Sequence, residues 1–191
     1  MSETVQQTTA AAEVILYADG AASPNPGRGG YGVVIIHKGC RQELSCGFRS
    51  TTNNRMELMG AIVGLRSLQA LPLQDGGKAK VILYSDAKYL VDMFNGGHAE
   101  KWRQNGWMRN KGRDKACNAD QWDEILTLAE RYDVRMVWVK GHASNIENAH
   151  CDELAVAARQ QDNLQVDAGY ECPATPVQSE PKQTTLFDWL N

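Results

Sequence analysis

The sequence predicts an α/β fold: a mixed five-stranded sheet, three antiparallel strands and then parallel additions, flanked by helices. Three observations carry this. Two apolar runs of strand length, Val14 to Tyr17 and Val81 to Tyr84, each lead into an aspartate, Asp19 and Asp86. A stretch with period-two alternation folds back on itself at Lys38-Gly39. Apolar residues then switch to helical spacing from about Asn54.

Taken in order, Val14 to Gly20 is apolar enough for a fully buried central strand. Ala21 to Gly30, with Pro24, Pro26 and Gly27, reads as a loop. Tyr31 to His37 alternates as a strand, and Arg41 to Arg49 is its hairpin partner. Thr51-Thr52-Asn53-Asn54 supplies N-cap chemistry, and Leu58, Ala61, Ile62, Leu65 and Leu68 lie on one helical face, so a helix is expected over 54–71. Lys80 to Asp86 repeats the opening strand, and the helix through Tyr89, Leu90 and Phe94 is stopped by Gly96-Gly97. Asn118 and Gln121 form a capping box for a helix that buries Trp122, Ile125, Leu126 and Ala129. Val134 to Val139 is the fifth strand, Lys140 to Asn145 a polar loop, and the last helix buries Cys151, Leu154, Ala155 and Ala158.

A chain of 191 residues with 42% apolar content makes one domain with room for tails. Residues 1–13 carry neither apolar periodicity nor the regions of a signal peptide, and no stretch is apolar enough to span a bilayer. A disordered N-terminal tail and a soluble, cytoplasmic monomer are therefore expected. The five cysteines are scattered without a C-x-x-C pair, which argues against a disulfide framework and against zinc. The net charge of −3 hides an asymmetry: residues 88–115 hold seven basic and three acidic side chains, while from 160 onward there are one and five. A basic segment in an acidic chain reads as a binding face, with a solvated surface run as the alternative. Inside it Trp102 and Trp107 lie among Lys101 and Arg103, a mixture suited to nucleic-acid contact. Tryptophans that merely anchor a surface helix would leave the same pattern.

Asp19 reads as the anchor of a metal site, because a buried strand delivers a side chain to a fixed place at the end where α/β sheets put their chemistry. Three more carboxylates follow at element starts or on helix faces: Glu57, Asp86 and Asp152. Plain alternatives stand beside each reading. Asp19-Gly20 could simply start a turn, Glu57 in a first helical turn could complement the macrodipole, and Asp86 could N-cap its helix.

Tyr17-Ala18-Asp19-Gly20, Asn25-Pro26-Gly27, Thr51 to Leu58, Tyr84-Ser85-Asp86, Trp138 to His142 and Cys151 to Ala155 together resemble bacterial ribonuclease H, type 1. The resemblance runs in order from about Val14 to Gln161 and implies a ribonuclease H-like fold over residues 14–161. It implies that Asp19, Glu57, Asp86 and Asp152 bind two Mg²⁺ ions, Mn²⁺ being a possible substitute, and that the substrate is the RNA strand of an RNA/DNA hybrid. Products with 5′-phosphate and 3′-hydroxyl ends, and a role in removing primers and R-loops, follow from it. The chemistry agrees: converging carboxylates repel one another until divalent cations neutralise them, and all-oxygen ligation favours Mg²⁺ or Mn²⁺ over Zn²⁺. His142 matches the family's histidine that assists proton movement or product release.

Asn25, Asn53 and Glu57 match family positions that contact the RNA strand near its 2′-hydroxyls. Thr52, with Asn53, Asn54 and Arg55, matches the region that grips a DNA phosphate. The segment holding Lys101, Trp102, Arg103 and Trp107 resembles the family's basic protrusion along the DNA strand. Two departures stand out: Ala87-Lys88 follows Asp86 where many bacterial members carry Ser-Gln, which puts a cation at Lys88, and Gly96-Gly97 punctuates the protrusion. Residues 162–191 read as a flexible tail. Within 183–190, Gln183, Leu186 and Phe187 are similar to the peptide by which bacterial proteins dock on the sliding clamp, folding back on the domain being the alternative. A hybrid-specific endonuclease is the expected function, and a non-catalytic hybrid-binding module is the competing reading.

Overall fold

The computed structural model describes residues 13–70, 78–109, 112–141 and 145–172. Its strands are β1 Val14–Ala22, β2 Gly27–His37, β3 Cys40–Thr51, β4 Lys80–Ser85, the two-residue β5 Met108–Arg109 and β6 Asp114–Lys115, and β7 Asp133–Trp138. The helices are α1 Asn53–Ser67, α2 Lys88–Asn95, α3 His98–Gln104, α4 Ala119–Ala129, α5 Ile146–Arg159 and α6 Ala168–Glu171. The main sheet has five strands in the order β3-β2-β1-β4-β7. β1, β2 and β3 pair antiparallel, whereas β4 adds parallel to β1 and β7 parallel to β4. β5 and β6 form a separate two-stranded ribbon, too short to leave a periodic signal in sequence.

One face of the sheet packs on α1, with α4 behind it. Val14, Leu16 and Ala18 of β1 meet Met56, Ile62 and Leu65 of α1, and Trp122 and Ile125 of α4 complete the core. The whole expected stripe of α1, Leu58 to Leu68, is buried. α5 covers the opposite face of β1, β2 and β3.

Several boundaries differ from the sequence-based expectation. The loop expected over 21–30 shrinks to the residues between Ala22 and Gly27, because Ala21 and Ala22 pair with Gly30 and Gly29. Glycines there let the strands continue beneath closely packed helices. α1 ends at Ser67 and a 3₁₀ turn, Leu68–Ala70, takes its place. The capping box is not formed: Asn118 occupies the N-cap of α4 with φ 55° and no side-chain cap, and the Gln121 side chain instead donates to the Arg55 carbonyl at 2.9 Å.

The larger correction concerns the C-terminal side. Residues 162–172 are not a flexible tail but a strap along β3. Gln165 donates to the Gly47 carbonyl at 2.8 Å and accepts from the Arg49 N–H at 3.0 Å, which covers part of the exposed sheet edge. Two residues on, Asp167 is 2% exposed and accepts from Thr51 Oγ1 at 2.6 Å and from Arg55 Nε and Nη2 at 2.7 and 2.8 Å. Arg55 also holds Asp120 of α4 through a second pair of bonds, at 3.0 and 2.7 Å. Arg55 therefore joins α1, α4 and the strap. Its expected role in gripping a DNA phosphate is corrected, since a guanidinium 4% exposed and bonded to two carboxylates serves the fold.

Truncating Arg55 leaves the buried Asp167 charge uncompensated, which costs about 3–5 kcal/mol. Arg55→Ala is expected to lower the urea unfolding free energy by that order and to expose residues 162–172 to amide exchange at a rate distinct from the rest of the domain. Unchanged exchange in the strap would contradict this role.

Candidate active site

Strand parity alone brings two aspartates together. Tyr17 of β1 stands opposite Tyr84 of β4, and their rings stack with centroids 5.0 Å apart. Two residues further along each chain, on the same face, come Asp19 and Asp86. Asp86 does not cap α2. The N-cap is Ala87, whose N–H is accepted by Ser85 Oγ at 3.2 Å, so the Asp86 carboxylate is not spent on the helix start. The Asp86 carbonyl is held by Trp138 Nε1 at 3.0 Å, which ties the end of β4 to the end of β7.

Backbone approach supplies the other two carboxylates. Gly32 is paired with Asp19, and a side chain there would collide with the Cys151 carbonyl, so its absence lets α5 settle on the sheet and places Asp152 beside Asp19. On the other face a Cβ at Gly20 would collide with the backbone of Met56 and Glu57, so α1 runs close enough for Glu57 to reach the strand end. Glu57 is the fifth residue of α1, beyond its first turn, so the macrodipole is not what positions it.

Asp19, Glu57, Asp86 and Asp152 line one cavity of about 290 Å³ together with Ser23, Asn53 and Arg159. The charges tell on one another. Burial, reinforced by the negative charge of Asp86 and then of Asp152 and Glu57, pushes the Asp19 carboxyl up to about 8, against the opposing effect of the Gly20 N–H, which donates to it at 2.7 Å. Burial and Asp86 together raise Glu57 to about 7. The donor set fits a hard divalent cation: every ligand atom is a carboxylate oxygen, and the surplus negative charge is what such a cation relieves. Among the described residues no three Asp, Glu, His or Cys side chains are closed into a finished coordination cluster. The carboxylates line the pocket as a wall instead.

The other expected contacts divide by position. Asn25 Oδ1 accepts the Asn53 N–H at 3.2 Å and Asn53 Oδ1 accepts the Ala22 N–H at 2.5 Å, so the β1–β2 loop is fastened to the start of α1 and the amide NH₂ groups are left to donate outward. Thr52 is the N-cap of α1, accepting the Arg55 N–H at 3.3 Å, and Asn54 beside it is exposed. Lys88 is exposed, with its Nζ 5.1 Å from the centre of the Trp138 ring. In the basic segment Lys101 is exposed, whereas Arg103 is engaged with Glu100 and Glu130, at 3.0 and 2.7 Å. Trp102 and Trp107 are partly buried and pack against the core, which anchors the segment to the domain. His142 lies outside the described residues, as do Gln183, Leu186 and Phe187. Sequence reasoning missed Arg159. The available signal was its spacing, seven residues after Asp152 on the same helix.

The fold has known counterparts. LC9-RNase H1, a type 1 RNase H with the type 2 active-site motif, superposes with a TM-score of 0.65 at 29% identity, covering 85% of this chain and 80% of its own. Sheet order, helix placement and the carboxylate pocket at the strand ends thus define the class: an RNase H-like nuclease. The RNase H family model matches residues 11–160. Ribonuclease H of Desulforamulus reducens is 53% identical over 161 residues, 84% of this chain and 96% of that protein. Ribonuclease HI of Synechocystis sp. is 51% identical over 82% of this chain and 94% of its own length. The chain belongs to the ribonuclease H family, type 1, and is a hydrolase.

The raised carboxyls make a stability prediction. A folded-state value of about 8 for Asp19 lies above the ordinary 3.8, so the folded protein holds a proton that the unfolded chain has released, and stability falls as pH rises between those values. In EDTA, the melting temperature is expected to fall from pH 5 to pH 9, and Asp19→Asn to flatten that fall, with its advantage over the native protein largest near pH 9. A parallel pH profile in the variant would overturn this electrostatic account.

Proposed function

We propose that this protein cuts the RNA strand of RNA/DNA hybrids endonucleolytically, with two Mg²⁺ ions held by Asp19, Glu57, Asp86 and Asp152, and leaves 5′-phosphate and 3′-hydroxyl ends. The observation that carries this reading is the gathering of all four carboxylates around one cavity in a chain of this family. A module that only bound hybrid would gain nothing from a negatively charged wall facing phosphates. Asp19, Glu57, Asp86 and Asp152 would hold the divalent ions, whose chemistry there would be activation of water and stabilisation of the departing 3′-oxygen.

The protein's own groups hold and select the substrate. The rigid ends of β1 and β4 fix Asp19 and Asp86, while α1 and α5 bring Glu57 and Asp152 to them. Asn25 and Asn53, fastened to each other, offer amide donors to the 2′-hydroxyl side of the RNA strand. Thr52 and Asn54, at the amino end of α1, receive a phosphate of the DNA strand. Lys88 faces the RNA strand, and Lys101, held out on α3 by the anchoring Trp102 and Trp107, faces the DNA strand and makes affinity salt-dependent. His142 assists proton movement or product release. Primer and R-loop removal is the cellular task that fits this activity, and a cytoplasmic monomer is the form in which it acts. The peptide around Gln183, Leu186 and Phe187 recruits the enzyme to a sliding clamp.

With labelled hybrid, single-stranded RNA and duplex DNA in Mg²⁺, cleavage is expected in hybrid RNA alone, lost in EDTA and reduced by about a thousandfold or more in Asp86→Asn. An inert native protein that still binds hybrid would overturn the catalytic reading. Removing residues 183–190 is expected to leave cleavage of short hybrids unchanged and to abolish retention on an immobilised bacterial sliding clamp. Retention equal to that of the full chain would refute the tether.

A further inference from the structure

Among the described residues that line the carboxylate pocket, Arg159 is the cation, and the family assignment gives it no task. It occupies the last position of α5, seven residues after Asp152, so the two side chains stand about 10 Å apart along one helix on similar sides. It lines the same cavity as Asp19, Glu57, Asp86 and Asp152. Its bonding is conspicuously incomplete. Nε is buried with no hydrogen-bond partner, and Nη1 makes one long contact, 3.4 Å, to the Ser23 carbonyl. Arg55 and Arg103, by contrast, are each paired with two carboxylates.

A plain structural role accounts for only part of this. A basic residue in the last turn of α5 complements the helix dipole, and the Ser23 contact steadies the β1–β2 loop. Neither purpose needs the guanidinium in the pocket, and neither gives the buried Nε–H an acceptor, a cost in free energy that a purely structural arginine has no reason to carry. Ser23 also lies on the loop that carries Asn25, the side of the pocket assigned above to the RNA strand.

We infer that Arg159 is a substrate-positioning residue whose guanidinium takes the non-bridging oxygens of an RNA-strand phosphate flanking the scissile one, on the Ser23 side of the pocket. This rests on the hybrid-cleaving function proposed above. A planar fork of N–H donors suits two phosphate oxygens, and a fixed positive charge offsets the repulsion between that phosphate and the carboxylate wall. Because the contacted phosphate is not the one being cut, the interaction acts on binding more than on the chemical step.

The test is steady-state cleavage of hybrid by native protein, Arg159→Ala and Arg159→Lys over a range of salt concentrations. Arg159→Ala is expected to raise KM about tenfold with kcat within about twofold, and to lower the slope of log affinity against log salt by about one. Arg159→Lys should restore the slope but only part of KM, since it keeps the charge and loses the fork. A neutral methylphosphonate linkage moved along the RNA strand locates the contact. At one position flanking the cut, native protein should lose about tenfold in affinity and Arg159→Ala nothing further. Should Arg159→Ala fail to fold, Arg159→Lys carries the same comparison as a reduced loss at that position. Equal sensitivity of native and variant proteins at every linkage, or an unchanged KM and salt slope in a folded Arg159→Ala, overturns the assignment while leaving hybrid cleavage intact. A native protein that does not cut hybrid overturns the underlying function instead.

Discussion

Four carboxylates must share one pocket against their own repulsion, and the rest of the structure is arranged around that constraint. No carboxylate in such a group can find its own position by attraction to the others. Each has to be delivered by a backbone that is rigid for unrelated reasons. Asp19 lies within β1 and Asp86 just past the end of β4, each two residues beyond a parallel register of four pairs, from Val14 opposite Val81 to Tyr17 opposite Tyr84. Glu57 and Asp152 ride on helices whose apolar faces are buried against opposite sides of that sheet. The elevated Asp19 and Glu57 values record the residual conflict, which burial causes first and neighbouring charge increases.

Delivery by helices requires that they lie unusually close to the sheet, and this explains glycines that hydrophobic patterning cannot. Gly20 and Gly32 sit in or beside β1 at places where a single methyl group would collide with helix backbone. Substituting either would push α1 or α5 outward and carry Glu57 or Asp152 away from the strand ends. A residue with no side chain thus controls catalytic geometry as firmly as the carboxylates do. Arg55 works toward the same end at longer range. By tying α1 to α4 and to the strap, it fixes the start of the helix that carries both Asn53 and Glu57.

The mixed five-stranded sheet, antiparallel first and then parallel, was legible because it is written in local patterns: apolar runs, period-two alternation and helical stripes. The strand-to-aspartate device used twice pointed to Asp19 and Asp86, and the motifs of the family resemblance added Glu57 and Asp152 to the set that lines the cavity. What escaped was written across the chain. Asp167 looked like one more charge in an acidic, polar stretch, and only the fold shows it meeting Thr51 and Arg55 across more than a hundred residues. Arg55 sits in a motif that resembles a phosphate-binding segment, so its sequence neighbourhood pointed outward while its buried partners hold it in. The tryptophans of the basic segment had two readings with the same pattern, and the fold shows the anchoring one in their partial burial against the core. Caps were misread at Asn118 for a related reason. A capping box is a local preference, and Gln121 found a better partner in the Arg55 carbonyl of a distant helix.

These placements also account for how a pocket lined with negative charge can receive a polyanion. Uniform positive potential would attract any nucleic acid and would neutralise the carboxylates proposed above to hold the metal. Here the cations stand at the margins instead. Lys88 is kept beside the Asp86 end by the face of Trp138, and Arg159 reaches in from the Ser23 end. The rest of the cavity wall is left to carboxylates and to Asn53, groups suited to hydrogen bonding and to hard cations and not to charge attraction alone. Under the function proposed above, a phosphate backbone meets Arg159 at one margin of the carboxylate wall, so attraction is strongest for phosphates that flank the carboxylates and weakest for one that faces them without a cation between. The proposed function thereby makes binding and metal occupancy interdependent: four carboxylates without divalent ions repel the phosphate that a marginal cation draws in.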